Sequence, residues 1–263
     1  MKKKLFGTIL TLSLILGLAS ASVFAESQSS DIRSVGQLKA ELSGNLTKAE
    51  QAQVVERTDD AVVDEFLLEK LDEAVTVLND QEAYADMKAL PDGSAYDVQT
   101  YDLGDGCILT VELRDAEEGA IVNIPGVSPM TTTQPDQWKD YGNRYFTAKA
   151  SATIGNVTAS MSLEHHYTLS ADGIEAKRGV ADADWTKSGG RYTNTTPSIS
   201  DRYAKTVGAS DVNIDCTYTF TSVSSSGKTT TVKYNLDTAV GYVDINKTAK
   251  KIKVRHSWNL TKV

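Results

Sequence analysis

The stretch from residue 156 to 169 constrains the fold of this chain most strongly, because hydrophobic and polar side chains alternate along it with a period of two. Its odd positions are Val157, Ala159, Met161, Leu163, His165, Tyr167 and Leu169, and Thr, Ser, Glu or His fills the even positions between them. Strict alternation is typical of a β-strand with one face buried and one face in water. We therefore predict one long strand whose odd-numbered side chains point into a core.

Similar alternation recurs on both sides of this strand. Further β runs are predicted at residues 96–101, 107–113, 145–154, 174–183, 199–207, 212–223, 229–243 and 251–260. Short turns such as Gly155-Asn156 and Asp172-Gly173 separate neighbouring runs, which favours antiparallel hairpins. Antiparallel strands joined in this way are typical of a β-sandwich or a strongly curved meander. Residues 199–207 are expected to form an edge strand.

The N-terminal part shows helical periodicity instead. Residues 35–42 form a predicted short helix, and Thr47 with Glu50 matches a capping box that begins a second helix over 48–57. Over 63–78, hydrophobic residues recur at spacings of three and four, as in an amphipathic helix of about five turns. The predicted fold class is therefore α+β, with a short acidic helical N-terminal part and a mainly antiparallel β C-terminal domain.

The first 25 residues have the organisation of a secretory signal peptide. Lysines at 2–4 precede an apolar run over 5–18, and Val23-Phe24-Ala25 provides a cleavage site with small residues. The run is short for a membrane span. We expect a mature N-terminus at Glu26 and an exported bacterial protein that is secreted, extracellular or associated with the cell surface.

Composition divides the chain into five segments. After the signal peptide (1–25) come an acidic helical region (26–95), a β-hairpin (96–114), a loop or linker (115–143) and a basic antiparallel β domain (144–263). The linker is predicted from its three prolines and its glycines, which punctuate local structure.

Charge is distributed unevenly along the chain, whose formal net charge is −8. Residues 26–96 hold 16 acidic and 6 basic residues, whereas residues 141–263 hold 10 acidic and 16 basic residues. On the last predicted strand Lys251, Lys253 and Arg255 share one face. We interpret them as a candidate anion-binding stripe for the acidic helices, an anionic cell-wall polymer or a membrane surface. The alternative is that they protect a sheet edge from pairing with another molecule.

The two cysteines, Cys107 and Cys216, lie on the apolar face of their predicted strands. An exported chain can keep a disulfide, which would close a long loop. Two buried free thiols are the equal alternative, because the pattern alone does not make the two strands neighbours.

Aromatic residues gather around the predicted linker, at Trp138, Tyr141, Tyr145 and Phe146. Such residues on a β scaffold can stack on sugar rings, or they can seal the end of a sandwich.

The sequence offers little for catalysis. The chain has three histidines, and two of them, His165 and His256, fall on apolar faces while His166 points the other way. No zinc-ligand spacing, nucleophile elbow, phosphate loop or calcium loop is recognisable. We predict no catalytic, cofactor-binding or metal-binding residues, no cofactor and no nucleic-acid partner.

The first expectation for function is therefore a non-enzymatic binding or interaction module that acts outside the cell or at its surface. The second concerns the Ser/Thr-rich hairpin over 217–243, which resembles the polar hairpins of β-pore-forming toxins in composition. That resemblance implies a secreted toxin or bacteriocin-like precursor whose acidic N-terminal part covers a membrane-active β domain. The sequence leaves the oligomeric state open.

Overall fold

A computed structural model describes residues 31–79, 85–120, 136–185, 191–223 and 227–263. The predicted signal peptide and its cleavage site lie outside these residues, as does the middle of the predicted linker.

Three helices precede the sheets. They are α1 (Val35–Leu42), α2 (Lys48–Glu56) and α3 (Asp60–Asn79). The predicted capping box is confirmed, because the Thr47 hydroxyl accepts a hydrogen bond from the backbone N–H of Glu50, and the Glu50 carboxylate accepts one from the N–H of Thr47. Helix α3 is the amphipathic helix of the sequence, and it buries Phe66, Leu67 and Leu71 completely.

Thirteen strands are present in the described part of the chain. They are β1 (Lys88–Ala89), β2 (Ala95–Asp102), β3 (Ile108–Glu117), β4 (Asp136–Asp140), β5 (Gly142–Ile154), β6 (Val157–Ser170), β7 (Gly173–Trp185), β8 (Arg191–Asn194), β9 (Ser198–Asp201), β10 (Tyr203–Ala204), β11 (Val212–Val223), β12 (Thr229–Asn246) and β13 (Lys251–Lys262). They form two sheets of antiparallel pairs. Sheet 1 has the order β1-β2-β3-β5-β6-β7-β10, and sheet 2 has the order β4-β13-β12-β11-β8, with β9 also paired to β11. The molecule is thus mostly antiparallel β with three helices, as the sequence predicted in outline.

Strand β6 is the alternating stretch that the sequence identified, and it lies between β5 and β7 in sheet 1. Its odd-numbered side chains face the core, with Met161 and Leu163 fully buried. The even-numbered face is less open than predicted, because Ser160 and His166 are also buried. Because β6 lies between β5 and β7, side chains of these two strands cover its small or flat side chains, such as Ser160 and His166.

The two sheets and α3 share one core. Tyr218 of sheet 2 donates a hydrogen bond from its hydroxyl to the backbone carbonyl of Ser162 in sheet 1, at 2.5 Å. Helix α3 is tied to both sheets, since Trp185 Nε1 donates to Asp64 Oδ1 at 2.5 Å and the Tyr234 hydroxyl donates to Asp72 Oδ1 at 2.7 Å. The acidic N-terminal part is therefore held on the β structure by buried side chains of its longest helix.

The predicted division between hairpin, linker and β domain does not match the strand pairing. Strand β3 of the hairpin pairs along its whole length with β5, from Ile108 opposite Thr153 to Glu117 opposite Arg144. Both ends of the segment assigned to the linker are strands, because β3 extends to Glu117 and β4 occupies Asp136–Asp140. The inward residues of β4 are polar, so this strand lacks the hydrophobic alternation that would reveal it in the sequence.

The predicted edge strand over 199–207 is also different, because it is two short strands in two sheets. Strand β9 pairs with β11 in sheet 2, and β10 pairs with β7 in sheet 1. The chain passes from one sheet to the other between Asp201 and Tyr203 and so joins the sheets at this corner.

Candidate functional site

The candidate anion-binding stripe lies on the outward face of sheet 2, beside strand β4. Lys251 is opposite Asp140, Lys253 is opposite Trp138, and Arg255 is opposite Asp136. We call these six residues the β4–β13 face.

Each cation of the stripe has a carboxylate nearby. The Arg255 guanidinium donates to both oxygens of Asp136, at 2.5 and 3.0 Å. Lys253 Nζ lies 3.8 Å from Asp136 Oδ2, and Lys251 Nζ lies 3.5 Å from Asp140 Oδ1. The hydrogen bond from Arg255 lowers the pKa of Asp136. The carboxylates closest to the stripe among the described ion pairs thus come from β4, and Asp211 also interacts with the charge of Arg255.

The edge-protection alternative for the stripe is wrong, because β13 is not an edge strand. It lies between β4 and β12, and β4 stands at the end of the strand order. The most exposed aromatic group of the β4–β13 face is the Trp138 side chain, with 43% of the residue accessible. Lys250, in the turn before β13, is exposed, and its carbonyl accepts a hydrogen bond from the backbone N–H of Tyr141, which follows Asp140.

The opposite side of β4 contributes to a buried ionic cluster between the sheets. Its members come from five strands and are Asp115, Lys139, Arg144, Tyr167 and His256, each at most 3% exposed. We call this the Asp115 cluster.

Asp115 is the centre of the cluster and accepts hydrogen bonds at both carboxylate oxygens. Arg144 donates through Nη2 to Oδ2 at 2.8 Å and through Nε to Oδ1 at 3.3 Å. Lys139 Nζ lies 2.9 Å from Oδ2, and the Tyr167 hydroxyl donates to Oδ1 at 2.5 Å. A buried carboxylate with three donors of this kind is well satisfied.

Burial alone would raise the pKa of Asp115, but the charges of Lys139 and Arg144 and the interaction with the His256 ring outweigh it and hold the pKa well below its usual value. Burial lowers the pKa of Lys139, although Asp115 opposes this effect. At neutral pH the carboxylate is therefore ionised, and the ammonium is easier to deprotonate than a lysine in water.

One histidine, His256, belongs to the cluster, and a second, His165, borders it next to the Tyr167 ring. His256 Nε2 lies 3.1 Å from the Tyr167 hydroxyl oxygen and 3.6 Å from Asp115 Oδ1. Burial lowers the pKa of His256, and it lowers the pKa of His165 to about 3. Both imidazoles are neutral at pH 7 as a result. The third histidine, His166, faces outward on sheet 1 and contacts Glu164.

A segment between α3 and β2 closes the cluster on one side. The Gly93 carbonyl accepts hydrogen bonds from Lys139 Nζ and from Arg144 Nη2, each at 3.0 Å. Gln137 Nε2 donates to the Met87 carbonyl at 2.6 Å. These contacts cover the ionic groups, so a substrate has no direct access to them.

Sequence reasoning missed the Asp115 cluster, although a signal for it exists. Asp115 continues the inward parity of Leu109, Val111 and Leu113, and Arg144 continues the parity of Phe146. A charged residue on an apolar parity indicates a buried ion that needs a partner. The partner itself cannot be identified without the strand order.

The cysteines are free thiols, and both are buried. Cys107 directly precedes β3 in sheet 1, whereas Cys216 lies in β11 of sheet 2. Burial raises the pKa of Cys107 to about 12. Cys216 Sγ donates to the Thr195 carbonyl at 3.1 Å. No disulfide joins the two in the structure.

The aromatic residues near the predicted linker do not form one surface. Phe146 is buried, with its ring 4.7 Å from that of His256, while Tyr145 lies on sheet 1 with the Arg114 guanidinium 5.3 Å from its ring. Trp138 alone of these three faces outward on sheet 2. A sugar-stacking surface can therefore use Trp138 but not the whole group.

Comparison with known proteins gives no relative. No protein-family model, no curated protein and no solved structure matches this chain. None of the helices in the described ranges is long and apolar enough to cross a membrane.

Proposed function

We propose that this protein is an exported, non-catalytic binding module that attaches to an anionic cell-wall polymer through the β4–β13 face. The observation that carries the proposal is the exposed indole of Trp138, which lies between the ion-paired rungs of Asp136 with Arg255 and Asp140 with Lys251. A flat aromatic group bordered by charged groups can stack on a sugar ring and contact its substituents at the same time.

The exposed cations of the face favour an anionic polymer. Carboxylates lie close to the stripe, from Asp136 and Asp140 of β4, from Asp244 opposite Lys253 and from Asp211 near Arg255. The Lys251 side chain is nevertheless 41% exposed, and Lys250 in the preceding turn is exposed as well. Ammonium and guanidinium groups at such a surface attract phosphate or carboxylate substituents.

The non-catalytic part of the proposal is supported by where the ionisable groups lie. Asp115, His165 and His256 have side chains that can act in acid–base catalysis, and all three are buried. Turnover requires a substrate within hydrogen-bonding distance of such groups. The β4–β13 face is exposed and is therefore suited to binding a polymer and not to catalysis.

A sedimentation assay tests this function. The full mature protein is mixed with bacterial cell-wall preparations, with anionic liposomes and with neutral liposomes, at low and at high salt. We expect it to sediment with the wall at low salt and to be released at high salt, because exposed charges are screened over a Debye length of about 10 Å at 0.1 M. Trp138→Ala and Lys253→Gln should each reduce the bound fraction.

Matched controls lie on the other sheet. Tyr203 is an equally exposed aromatic residue and Lys177 is an exposed, ion-paired lysine, so Tyr203→Ala and Lys177→Gln should bind like the unchanged protein. Failure to sediment with any wall preparation at low salt would reject the proposal. Sedimentation with anionic liposomes alone would indicate that the partner is a membrane surface and not the wall polymer.

The toxin-precursor alternative comes second. It requires the acidic part to leave the β domain, but α3 contributes Phe66, Leu67 and Leu71 to the shared core. Release of α3 would expose this apolar surface, which is the property a membrane-active form needs. Limited proteolysis followed by a liposome-leakage assay tests the idea, and leakage by the cleaved protein but not by the intact protein would favour it.

A further inference from the structure

The Asp115 cluster holds an ammonium and a carboxylate in direct contact. Lys139 Nζ lies 2.9 Å from Asp115 Oδ2, and the two residues are 3% and 0% exposed. They project from β4 and β3, which belong to different sheets. We propose that Lys139 and Asp115 condense into an intramolecular isopeptide bond, a covalent link between the two sheets of the sandwich.

Proximity favours the reaction. Reacting groups that are held in contact in a fixed geometry gain a large effective concentration, so that a condensation which is slow in water becomes accessible. Lys139 Nζ has the Gly93 carbonyl as its other acceptor, at 3.0 Å, which fixes its position. The water that would reverse the reaction is kept away by burial of the whole cluster.

The first step is a proton transfer within the pair. An ammonium is not a nucleophile, so Lys139 passes one proton to Asp115 Oδ2 across the 2.9 Å contact and becomes a neutral amine. Burial lowers the pKa of Lys139 and so assists this transfer, whereas the charges around Asp115 lower the pKa of its carboxyl and oppose it, which makes the proton transfer the uphill step of the reaction.

The second step is attack of the Lys139 nitrogen on the side-chain carbonyl carbon of Asp115. Negative charge then develops on the carboxyl oxygens, where Arg144 and the Tyr167 hydroxyl already donate hydrogen bonds. Donors placed in advance at such oxygens stabilise the tetrahedral intermediate.

The last step breaks one carbon–oxygen bond and releases water. The nitrogen loses a second proton, and Tyr167 with His256 Nε2, 3.1 Å apart, can carry it to the leaving oxygen. The three protons of the ammonium end as one amide N–H and two hydrogens of water, so charge and atoms balance. No oxidant, metal or cofactor is consumed.

The product also reduces the number of buried ions. Before the reaction the cluster contains the charges of Asp115, Lys139 and Arg144, and afterwards only that of Arg144 remains. Arg144 keeps the Gly93 carbonyl as an acceptor and has Glu117 Oε1 at 3.7 Å from Nη1. Removing a carboxylate and an ammonium from a dry interior eliminates their desolvation penalty, although it also removes the ion pair of Arg144 with Asp115 and leaves the new amide oxygen as its acceptor.

Peptide mapping of the unchanged full-length protein tests the proposal directly. No Lys or Arg occurs between Asp115 and Lys139, and the next cleavage site for trypsin is Arg144. A free Lys139 gives two peptides, 115–139 and 140–144. A linked Lys139 resists trypsin and gives one peptide, 115–144, lighter by the mass of one water molecule.

A second protease confirms the position of the bond. Glutamyl endopeptidase cuts after Glu117 and Glu118, which converts the linked peptide into two chains, Asp115–Glu117 and 119–144, that stay joined. We expect this branched species to account for most of the folded protein. Complete recovery of unlinked 115–139 would overturn the proposal.

The controls separate cross-linking from other losses of water. A dehydrated peptide that trypsin still cuts after Lys139 would indicate a succinimide at Asp115 and would also overturn it. Lys139→Arg keeps the positive charge and must abolish the branched species, and Tyr167→Phe should lower its yield several-fold. Lys70 is an internal control, because it is equally buried and lies 2.9 Å from Glu73, yet that carboxylate is exposed to water. Trypsin should cut after Lys70 normally.

Discussion

The two sides of strand β4 show how burial changes the role of the same charged groups. Outward, Asp136 and Asp140 pair with basic residues of β13 at partly exposed positions. Inward, Lys139 meets Asp115 in a dry interior. Surface pairs contribute little to stability because water and salt screen them, whereas a buried charge that loses its partner is strongly destabilising. Substitutions on the outward side should therefore cost little stability, and substitutions on the inward side should cost much more.

The sharpest test of this contrast removes one carboxylate from each side. Asp115→Ala leaves Lys139 and Arg144 buried without their anion, and we expect a loss of about 3–5 kcal/mol in the free energy of unfolding. Asp140→Ala removes an exposed partner and should change it by about 1 kcal/mol or less. Urea denaturation of both variants measures the difference. Equal destabilisation would mean that the two sides of β4 are not different environments.

Acid should weaken the inward side selectively. The folded-state pKa of His165 is about 3 and that of His256 is also lowered, against 6.5 in the unfolded chain, so the unfolded state binds protons first as the pH falls. The stability contributed by the neutral imidazoles is complete above pH 6.5. Below it, each pH unit should cost up to about 1.4 kcal/mol per histidine until the folded-state pKa is reached.

Denaturation between pH 7.5 and 4.5 measures this slope, and His165→Gln should make it shallower. The two proteins should have parallel profiles above pH 7, which provides the internal control. An unchanged slope in the variant would show that His165 does not titrate on unfolding.

Neighbouring residues of β4 should also respond differently. Gln137→Ala leaves the buried Met87 carbonyl without its side-chain donor, and we expect a loss of about 1–3 kcal/mol. Trp138→Ala acts on the exposed side and should lose less than about 1 kcal/mol while it reduces polymer binding. A thermal melt of each variant measures the loss of stability. A larger loss for Trp138→Ala than for Gln137→Ala would mean that Trp138, and not Gln137, is on the buried side of β4.

The smallest effect is expected at Lys253. Lys253→Gln removes an ion pair of 3.8 Å on a partly exposed surface and should change the free energy of unfolding by about 0.5 kcal/mol or less. The same variant should weaken binding to the wall at low salt. A large change in stability would indicate that this pair is structural and not part of a binding face.

Local patterns predicted most of the elements, because each depends on neighbours in the sequence. Period-two alternation located β6 and β11, and capping chemistry located the start of α2. Strand β4 was missed since its inward residues, Gln137 and Lys139, are polar.

The candidate sites were harder to predict than the strands. The stripe on β13 was visible in the sequence, but its carboxylate neighbours Asp136 and Asp140 were not, because they come from a distant segment. The same limit applies to Asp115 and Lys139. A pairing between remote strands depends on the topology of both sheets, and no local pattern encodes it.

The position of β13 has a consequence for the order in which the molecule folds. Strand β4 is synthesised before β5–β12, yet its only strand partner in the described structure is β13, and the pairing includes Lys251 opposite Asp140. Contacts between remote segments slow folding, typically to milliseconds or seconds in β proteins, because a long loop must close first. A nascent chain thus carries β4 unpaired while most of its other strands are being synthesised. Insertion of β13 between β4 and β12 is then a late event. Because His256 lies on β13, the Asp115 cluster is completed only when this strand is inserted.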